Sequence, residues 1–425
     1  MREKPHVVIC AVACHPDHGS ELAVGWQWVL RAAERYRVTV ITAESRGNRP
    51  AIESYRKMHP EFADATRFVF LKPFDAPASL FLRKLRHHVP IFYYRAYRQW
   101  LKEAAFAAAR IVRDERVDCV HQLTYITFRE PGFLMNLTVP FIWGPIGGTQ
   151  NVPWRFLASL GVINGLKHAA RNVINELQFR FRLDVASGFR SAAVLSAVAS
   201  DTQKMIKTYY SRDSVVIPAT ACSLPTPYRP ARDATTETVR FVFSGAFIAR
   251  KGLPFGLEAL ASLRDLDWTL DVLGRGPLDQ RWRSLASRLG ISQRVQFHGG
   301  VLRARALEIM AQADALVFPS LQEGWPTVVM ESLALGVPVI TTDHHGMADM
   351  VTPECGVLIP VTNPRQLVRD LATTLRDFIE SPDLRQRLSA GALHRGSFFS
   401  ADNQAAAIHR FYETAISARD RLELK

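Results

Sequence analysis

Between Ala315 and Thr341 the chain reads as an apolar run, a polar loop, a helical stretch and a second apolar run. Ala315 to Pro319 has the character of a buried strand, and Val337 to Thr341 that of the next one. Trp325 to Leu335 reads as the helix between them, with Gly336 as its stop. Pro326 suits the first turn of that helix, where its missing N–H would be unpaired anyway. Glu323 then lies in a loop at the carboxyl end of a strand, and Glu331 about a turn and a half into the helix. A helix start directs free N–H groups and a positive dipole end at whatever lies above the strand, which favours a phosphate or sugar hydroxyls. Two carboxylates eight residues apart, with Gly324, Trp325, Pro326 and Thr327 between them, frame one small site.

The same alternation runs through the whole chain and argues for parallel sheets covered by helices. Strands are expected at His6–Cys14, Arg37–Thr42, Arg67–Leu71, Asp118–Leu123, Val139–Pro145, Ala192–Ala199 and Val215–Pro218, with a helix over Glu21–Arg35. After Leu224 to Glu237, rich in Pro, Ser, Thr and charge but without a period, the pattern restarts. Strands at Val239–Gly245, Trp268–Gly274 and Arg294–His298 precede the opening pair, and helices at Pro364–Ile379, Leu384–Gly391 and Asn403–Arg419 follow. At 425 residues two domains of about 200 residues each are the natural expectation. The boundaries so read are a first domain over 1–224, a linker over 225–237, a second domain over 238–395 and a terminal helix over 396–425.

Glu323 and Glu331, followed by the Ser332-Leu333-Ala334-Leu335-Gly336-Val337-Pro338-Val339 helix–strand, resemble the donor-site signature of retaining glycosyltransferases of family 4. That resemblance implies the GT-B fold: two Rossmann-like, doubly wound domains facing across a cleft, with a terminal helix crossing back to the first domain. It implies a nucleotide diphosphate sugar as donor, a glycan or lipid-linked hydroxyl as acceptor, and no cofactor or required metal. Arg250 and Lys251, in the strand-to-helix turn Ser244 to Gly252, match the basic pair that reaches the donor diphosphate. Two cations there would offset the charge that builds on the leaving group. Glu331 would accept hydrogen bonds from ribose hydroxyls, and Glu323, with the Gly324 and Trp325 backbone, would hold the donor sugar. His121, at the end of a first-domain strand, would orient the sugar near the reacting carbon; a satisfied packing histidine is the other reading. Gly19 and Ser20, in the loop after the first strand, match the glycine-containing loop that faces the donor phosphates, and Ser20 also suits a helix cap. Gly245, Gly274 and Gly276 permit close backbone approach near the nucleotide. Two departures from the family pattern stand out. Ala219 to Cys222 replace an Asn-Gly-hydrophobic-Asp segment, and His345-Gly346 replace a Gly-Gly pair. They leave a nucleotide-sugar epimerase or hydrolase, or a non-catalytic binding subunit, as alternatives.

The formal charge of +13 implies anionic company such as nucleotide phosphates or a lipid headgroup surface. No nucleic-acid reader motif accompanies it. Five scattered cysteines without a CxxC suggest reduced thiols and a cytoplasmic protein. No run approaches the roughly 18 apolar residues that span a bilayer. Two basic stretches interleaved with large apolar side chains, Leu80–Trp100 and Trp154–Arg182, suit either peripheral contact with an anionic membrane or helices packed on a core.

Overall fold

The computed structural model describes residues 4–74, 90–222 and 238–423. They form two compact units, each built on one parallel sheet. The first unit gathers residues 1–149, 176–221 and 402–425; the second gathers 150–175 and 222–401.

In the first unit the elements run β1 (His6–Ala11), α1 (Glu21–Ala33), β2 (Arg37–Ala43), α2 (Asn48–Met58), α3 (Pro60–Ala65), β3 (Thr66–Leu71), α4 (Pro90–Asp114), β4 (Cys119–Thr124) and β5 (Phe141–Ile146). Helix α5 (Val162–Phe181) follows in the chain, its residues 162–175 belonging to the second unit, then α6 (Leu183–Ser191), β6 (Val194–Ala197), α7 (Ser200–Tyr210) and β7 (Val215–Val216). The strand order is β3-β2-β1-β4-β5-β6-β7. Every residue of β1, β4 and β5 is buried, as expected of central strands covered on both faces. The chain winds outward from β1 to β3, then crosses to β4 on the other side of β1, so the sheet's switch point lies between β1 and β4.

The second unit repeats this plan. Its elements are β8 (Val239–Ser244), α8 (Leu253–Ala261), β9 (Trp268–Leu273), α9 (Asp279–Arg288), β10 (Val295–Gly299), α10 (Arg303–Ala311), β11 (Ala315–Phe318), α11 (Thr327–Ala334), β12 (Val339–Thr342), α12 (Gly346–Met350), β13 (Gly356–Ile359), α13 (Pro364–Glu380) and α14 (Pro382–Ser397). The strand order β10-β9-β8-β11-β12-β13 puts the switch point between β8 and β11. One apolar core runs under this sheet, with Phe241, Phe243, Trp268, Leu316 and Phe318 among its fully buried members.

The final helix, α15 (Ala401–Glu423), packs in the first unit. His409 bonds the Arg31 carbonyl through Nε2 at 2.7 Å, and Tyr36 donates to the His409 carbonyl at 3.2 Å. The expected doubly wound α/β sheets with a returning terminal helix are therefore present.

The structure differs from the sequence reading in several places. Residues 150–175, expected in the first domain, belong to the second, because Phe156 and Leu160 join its core and Phe156 meets Phe255 edge-on at 5.8 Å. The terminal segment joins the first unit from Asp402, not 396. The expected linker, 225–237, lies outside the described residues. Strand β13 was not anticipated, since four residues at a sheet edge carry too little pattern to announce themselves.

Candidate donor site

The loops that follow β8 and β11 are neighbours, because those two strands pair in parallel. Leu321 N–H donates to the Arg250 carbonyl at 2.8 Å and Ser320 Oγ to the same oxygen at 3.2 Å. Gly252 holds a left-handed φ of 70°, and a Cβ there would stand 2.0 Å from the Pro319 carbonyl oxygen. Only glycine allows that approach. The two loops are thus joined backbone to backbone, and their side chains meet at fixed positions.

Those side chains form a small ionic cluster. Glu323 Oε1 accepts from Ser320 Oγ at 2.6 Å and from Arg250 Nη1 at 3.1 Å, and it pairs with Lys251 Nζ at 2.7 Å. Arg250 also bonds the Gln322 carbonyl. The Lys251 side chain is 13% exposed and its ammonium lies 4.9 Å from the centre of the Phe318 ring. Burial pushes its pKa below the usual lysine range, against the opposing pull of Glu323. Two cations share one carboxylate, so the loop pair carries a net positive charge in a half-dry setting, which suits an anion.

Glu331 lies on α11, away from that cluster's bonds. Arg303, the first residue of α10, reaches its Oε1 through both Nε and Nη2 at 2.8 Å. Burial raises the Glu331 pKa, and the guanidinium works against that rise. Helix α11 itself starts at Thr327. Pro326 stays outside as the capping residue with an extended ψ of 107°, and Trp325 lies in the loop before it. The Trp325 Nε1 donates to Met330 Sδ at 3.1 Å, which holds the half-buried ring against α11. At the other end Gly336, with φ 69°, lets Val337 N–H reach back to the Ser332 carbonyl at 2.9 Å, which closes the helix as read.

The remaining glycines seat the neighbouring loops. A Cβ on Gly274 would meet the Gly245 carbonyl oxygen at 1.9 Å, and one on Gly276 the Phe247 carbonyl oxygen at 2.6 Å. A Cβ on Gly346 would stand 2.1 Å from the Gly324 carbonyl oxygen, so the loop after β12 rests on the glutamate loop. His345 occupies the position of the expected first glycine and takes φ 53° and ψ −140°, a region few side chains adopt. Its Nε2 bonds the Asn151 carbonyl at 3.0 Å, while Gln322 donates to the Gln150 carbonyl at 2.6 Å. Gln150 and Asn151 thereby brace the site loops. Nothing in their composition marks them for this; the signal is tertiary. Ser320, Gln322 and Arg303 carry no such mark either, though Arg303 opens the helix that follows β10, just past a strand-to-helix turn.

Gly19, Ser20 and His121 belong to the first unit. Ser20 precedes α1 with φ 59° and ψ −141°, and its hydroxyl makes no capping bond. Glu21, beside it, is a buried carboxyl that accepts from Ile126 N–H at 3.1 Å and is pushed up to about 7 by burial. His121 is fully buried. Its Nδ1 bonds the Tyr412 hydroxyl at 2.7 Å and its Nε2 the Gly144 carbonyl at 2.8 Å. Burial lowers its pKa to about 4, so it is neutral at physiological pH. Both ring nitrogens are engaged, which is the geometry of a packing histidine and offers no atom to a sugar. At the family departure Ala219 to Cys222, the Ala219 carbonyl accepts from the Trp28 indole at 3.1 Å and Ala221 N–H donates to Gln27 at 2.8 Å. Helix α1 supplies there the polar contacts that the segment itself lacks.

The family model described as Glycosyl transferases group 1 matches residues 227–395, the stretch that contains Arg250, Lys251, Glu323 and Glu331. This domain is thus similar to the glycosyl transferases group 1 family over residues 227–395. Among curated relatives, a D-inositol 3-phosphate glycosyltransferase of Streptomyces bingchenggensis is 33% identical over 194 residues, which cover 43% of this chain and 42% of the relative. The lipopolysaccharide glucosyltransferase WaaG of Escherichia coli is 31% identical over 154 residues, covering 35% and 40%. The matched stretches thus span less than half of either relative. In fold the likeness is wider. The chain superposes on the apo lipopolysaccharide outer core galactosyltransferase WaaB with a TM-score of 0.62 over 97% of its own length and 99% of the other, at 15% identity.

Proposed function

We propose that the protein is a retaining glycosyltransferase that moves a sugar from a nucleotide diphosphate donor to an acceptor hydroxyl. The observation that carries this reading is the cluster of Arg250, Lys251 and Glu323 at the switch point between β8 and β11, within the family-matched stretch. In that reading the donor diphosphate takes over the two cations that Glu323 Oε1 holds in the free protein. Glu323, released from them, turns its oxygens to the sugar hydroxyls beside the Gly324 and Trp325 backbone. Glu331 exchanges Arg303 for the ribose hydroxyls. As the bond from the anomeric carbon to the diphosphate oxygen breaks, negative charge grows on the leaving group, where Arg250 and Lys251 stabilise it. The acceptor oxygen bonds the anomeric carbon on the face the diphosphate leaves, and its proton passes to the departing phosphate. No side chain is required as general base, in keeping with a His121 that has no free nitrogen. The charge work falls to two side-chain cations, and turnover is expected to survive EDTA. A glycan or lipid-linked acceptor is supported by the chain's curated relatives, one of them named a lipopolysaccharide glucosyltransferase.

The test is binding of UDP, GDP and ADP, each with and without magnesium, to the wild type and to Glu331→Ala by calorimetry. Binding of one nucleotide without metal, lost in the variant, is the expected result. If none of the three binds, the donor-site reading fails.

A further inference from the structure

Helix α5 is built inside out over the part that belongs to the second unit, Val162–Asn175. Its inward face is small and polar. A Cβ on Gly165 would stand 2.5 Å from the Leu157 carbonyl oxygen, Asn172 donates to the Val152 carbonyl at 2.7 Å, and Asn175 donates to Asn151 Oδ1 at 2.8 Å. Its outward face is aliphatic. Val162, Ile163 and Leu166 are 79%, 83% and 69% exposed, and Val173 and Ile174 are nearly half exposed. Ile163, Leu166, Ala170, Val173 and Ile174 recur at three- and four-residue steps, so they share one stripe. Just before the helix, Trp154 is 60% exposed as well. A water-facing helix normally shows the reverse arrangement, and a contiguous apolar face of this kind marks a surface that something covers.

Charge decides what covers it. From Trp154 to Asn175 the chain contains no aspartate or glutamate, and Arg155 and Lys167 are exposed. Arg171 is half-buried and donates to the Gln150 carbonyl at 3.0 Å, and Glu176, the next acid on the helix, is paired with Arg180. A two-fold contact between copies would set this basic rim against itself. A bilayer with anionic headgroups would neutralise it and take up the aliphatic stripe at the headgroup–acyl boundary, with the long basic side chains reaching back to the phosphates. No helix among the described residues is long and apolar enough to cross a membrane. We propose that the exposed face of α5, with Trp154, is a docking surface for an anionic lipid bilayer. It stands on this helix alone and does not depend on the reading of the donor site.

The experiment is flotation of the full chain with vesicles of phosphatidylcholine, pure or with roughly one third phosphatidylglycerol, followed through a density gradient. The wild type should float with the anionic vesicles only, and high salt should release it. Ile163→Ser combined with Leu166→Ser should lower the partition coefficient about tenfold or more. Leu393→Ser, an exposed apolar position elsewhere in the same unit, should float as the wild type does. Lys167→Glu, a rim change that leaves the helix apolar stripe intact, should weaken flotation several-fold and serves if the double variant proves unfolded by circular dichroism. The proposal is overturned if the wild type stays with the unbound protein, or if the folded double variant floats equally well. It is also overturned if the wild type sediments as a dimer that the double variant disperses while neither floats, for the face then belongs to a second copy.

Discussion

Glu323→Gln separates the two jobs that the ionic cluster performs. In the free protein this carboxylate is the partner of a buried ammonium at 2.7 Å and of a guanidinium at 3.1 Å, and its side chain is only 10% exposed. Gln can still accept from Ser320, but it leaves Lys251 without its counter-charge. Removing one partner of a largely buried pair costs about 3–5 kcal/mol; the retained Ser320 bond and the half-exposed Arg250 favour the lower figure. For a unit of about 200 residues, about 3 kcal/mol corresponds to a fall of roughly 6–12 °C in melting temperature. Nucleotide affinity should behave differently. With the competing carboxylate gone, Arg250 and Lys251 face the diphosphate unopposed, so UDP, GDP or ADP, whichever the wild type binds, should bind at least as tightly. Sugar transfer should be lost, because Glu323 is assigned to the sugar. Differential scanning fluorimetry with and without nucleotide measures both quantities. A variant that melts within about 2 °C of the wild type, or that loses nucleotide binding altogether, would refute the assignment.

Three further outcomes follow from particular contacts. Arg303→Met removes the cation that opposes the burial-driven rise of the Glu331 pKa. The acid limb of nucleotide binding should move to higher pH, and calorimetry across a pH series reads it. Glu21, with a folded pKa near 7 against an ordinary 4.5, supports the fold fully only when protonated; that support is present below pH 4.5 and is lost as pH rises through 7. Glu21→Gln should therefore match the wild type near pH 4 and exceed its stability by about 3 kcal/mol at pH 8, checked by urea unfolding at both values. Gly346→Ala would drive a methyl into the Gly324 carbonyl and displace the glutamate loop. A loss of about 2 kcal/mol or more in stability, with weaker nucleotide binding, is expected from melting curves run with and without ligand.

Much of this molecule is legible along the chain, because a parallel α/β sheet announces itself locally. Buried strands read as unbroken apolar runs. Helix stops carry glycine, and Arg250, Lys251 and Glu323, expected in the turns at strand carboxyl ends, lie together there. Glu331 sits on its helix as read, and Gly336 ends that helix as read. What the sequence determined by itself is therefore the fold class, the repeat of the winding pattern and the residues that one strand-to-helix turn can hold. Tertiary structure decided everything that depends on which distant backbone lies nearby. It gave 150–175 to the second unit, paired Glu331 with Arg303, and enclosed His121 between Tyr412 and Gly144 so that no ring nitrogen is free. It also turned the aliphatic stripe of α5 outward, whereas Tyr97 and Trp100, from the other basic aromatic stretch, are buried. Periodicity says that a helix has two unlike faces, but it does not say which of them meets the core; that choice is made by the groups waiting on the other side, here the Val152 and Leu157 backbone carbonyls and the Asn151 side-chain amide, which Asn172, Gly165 and Asn175 meet.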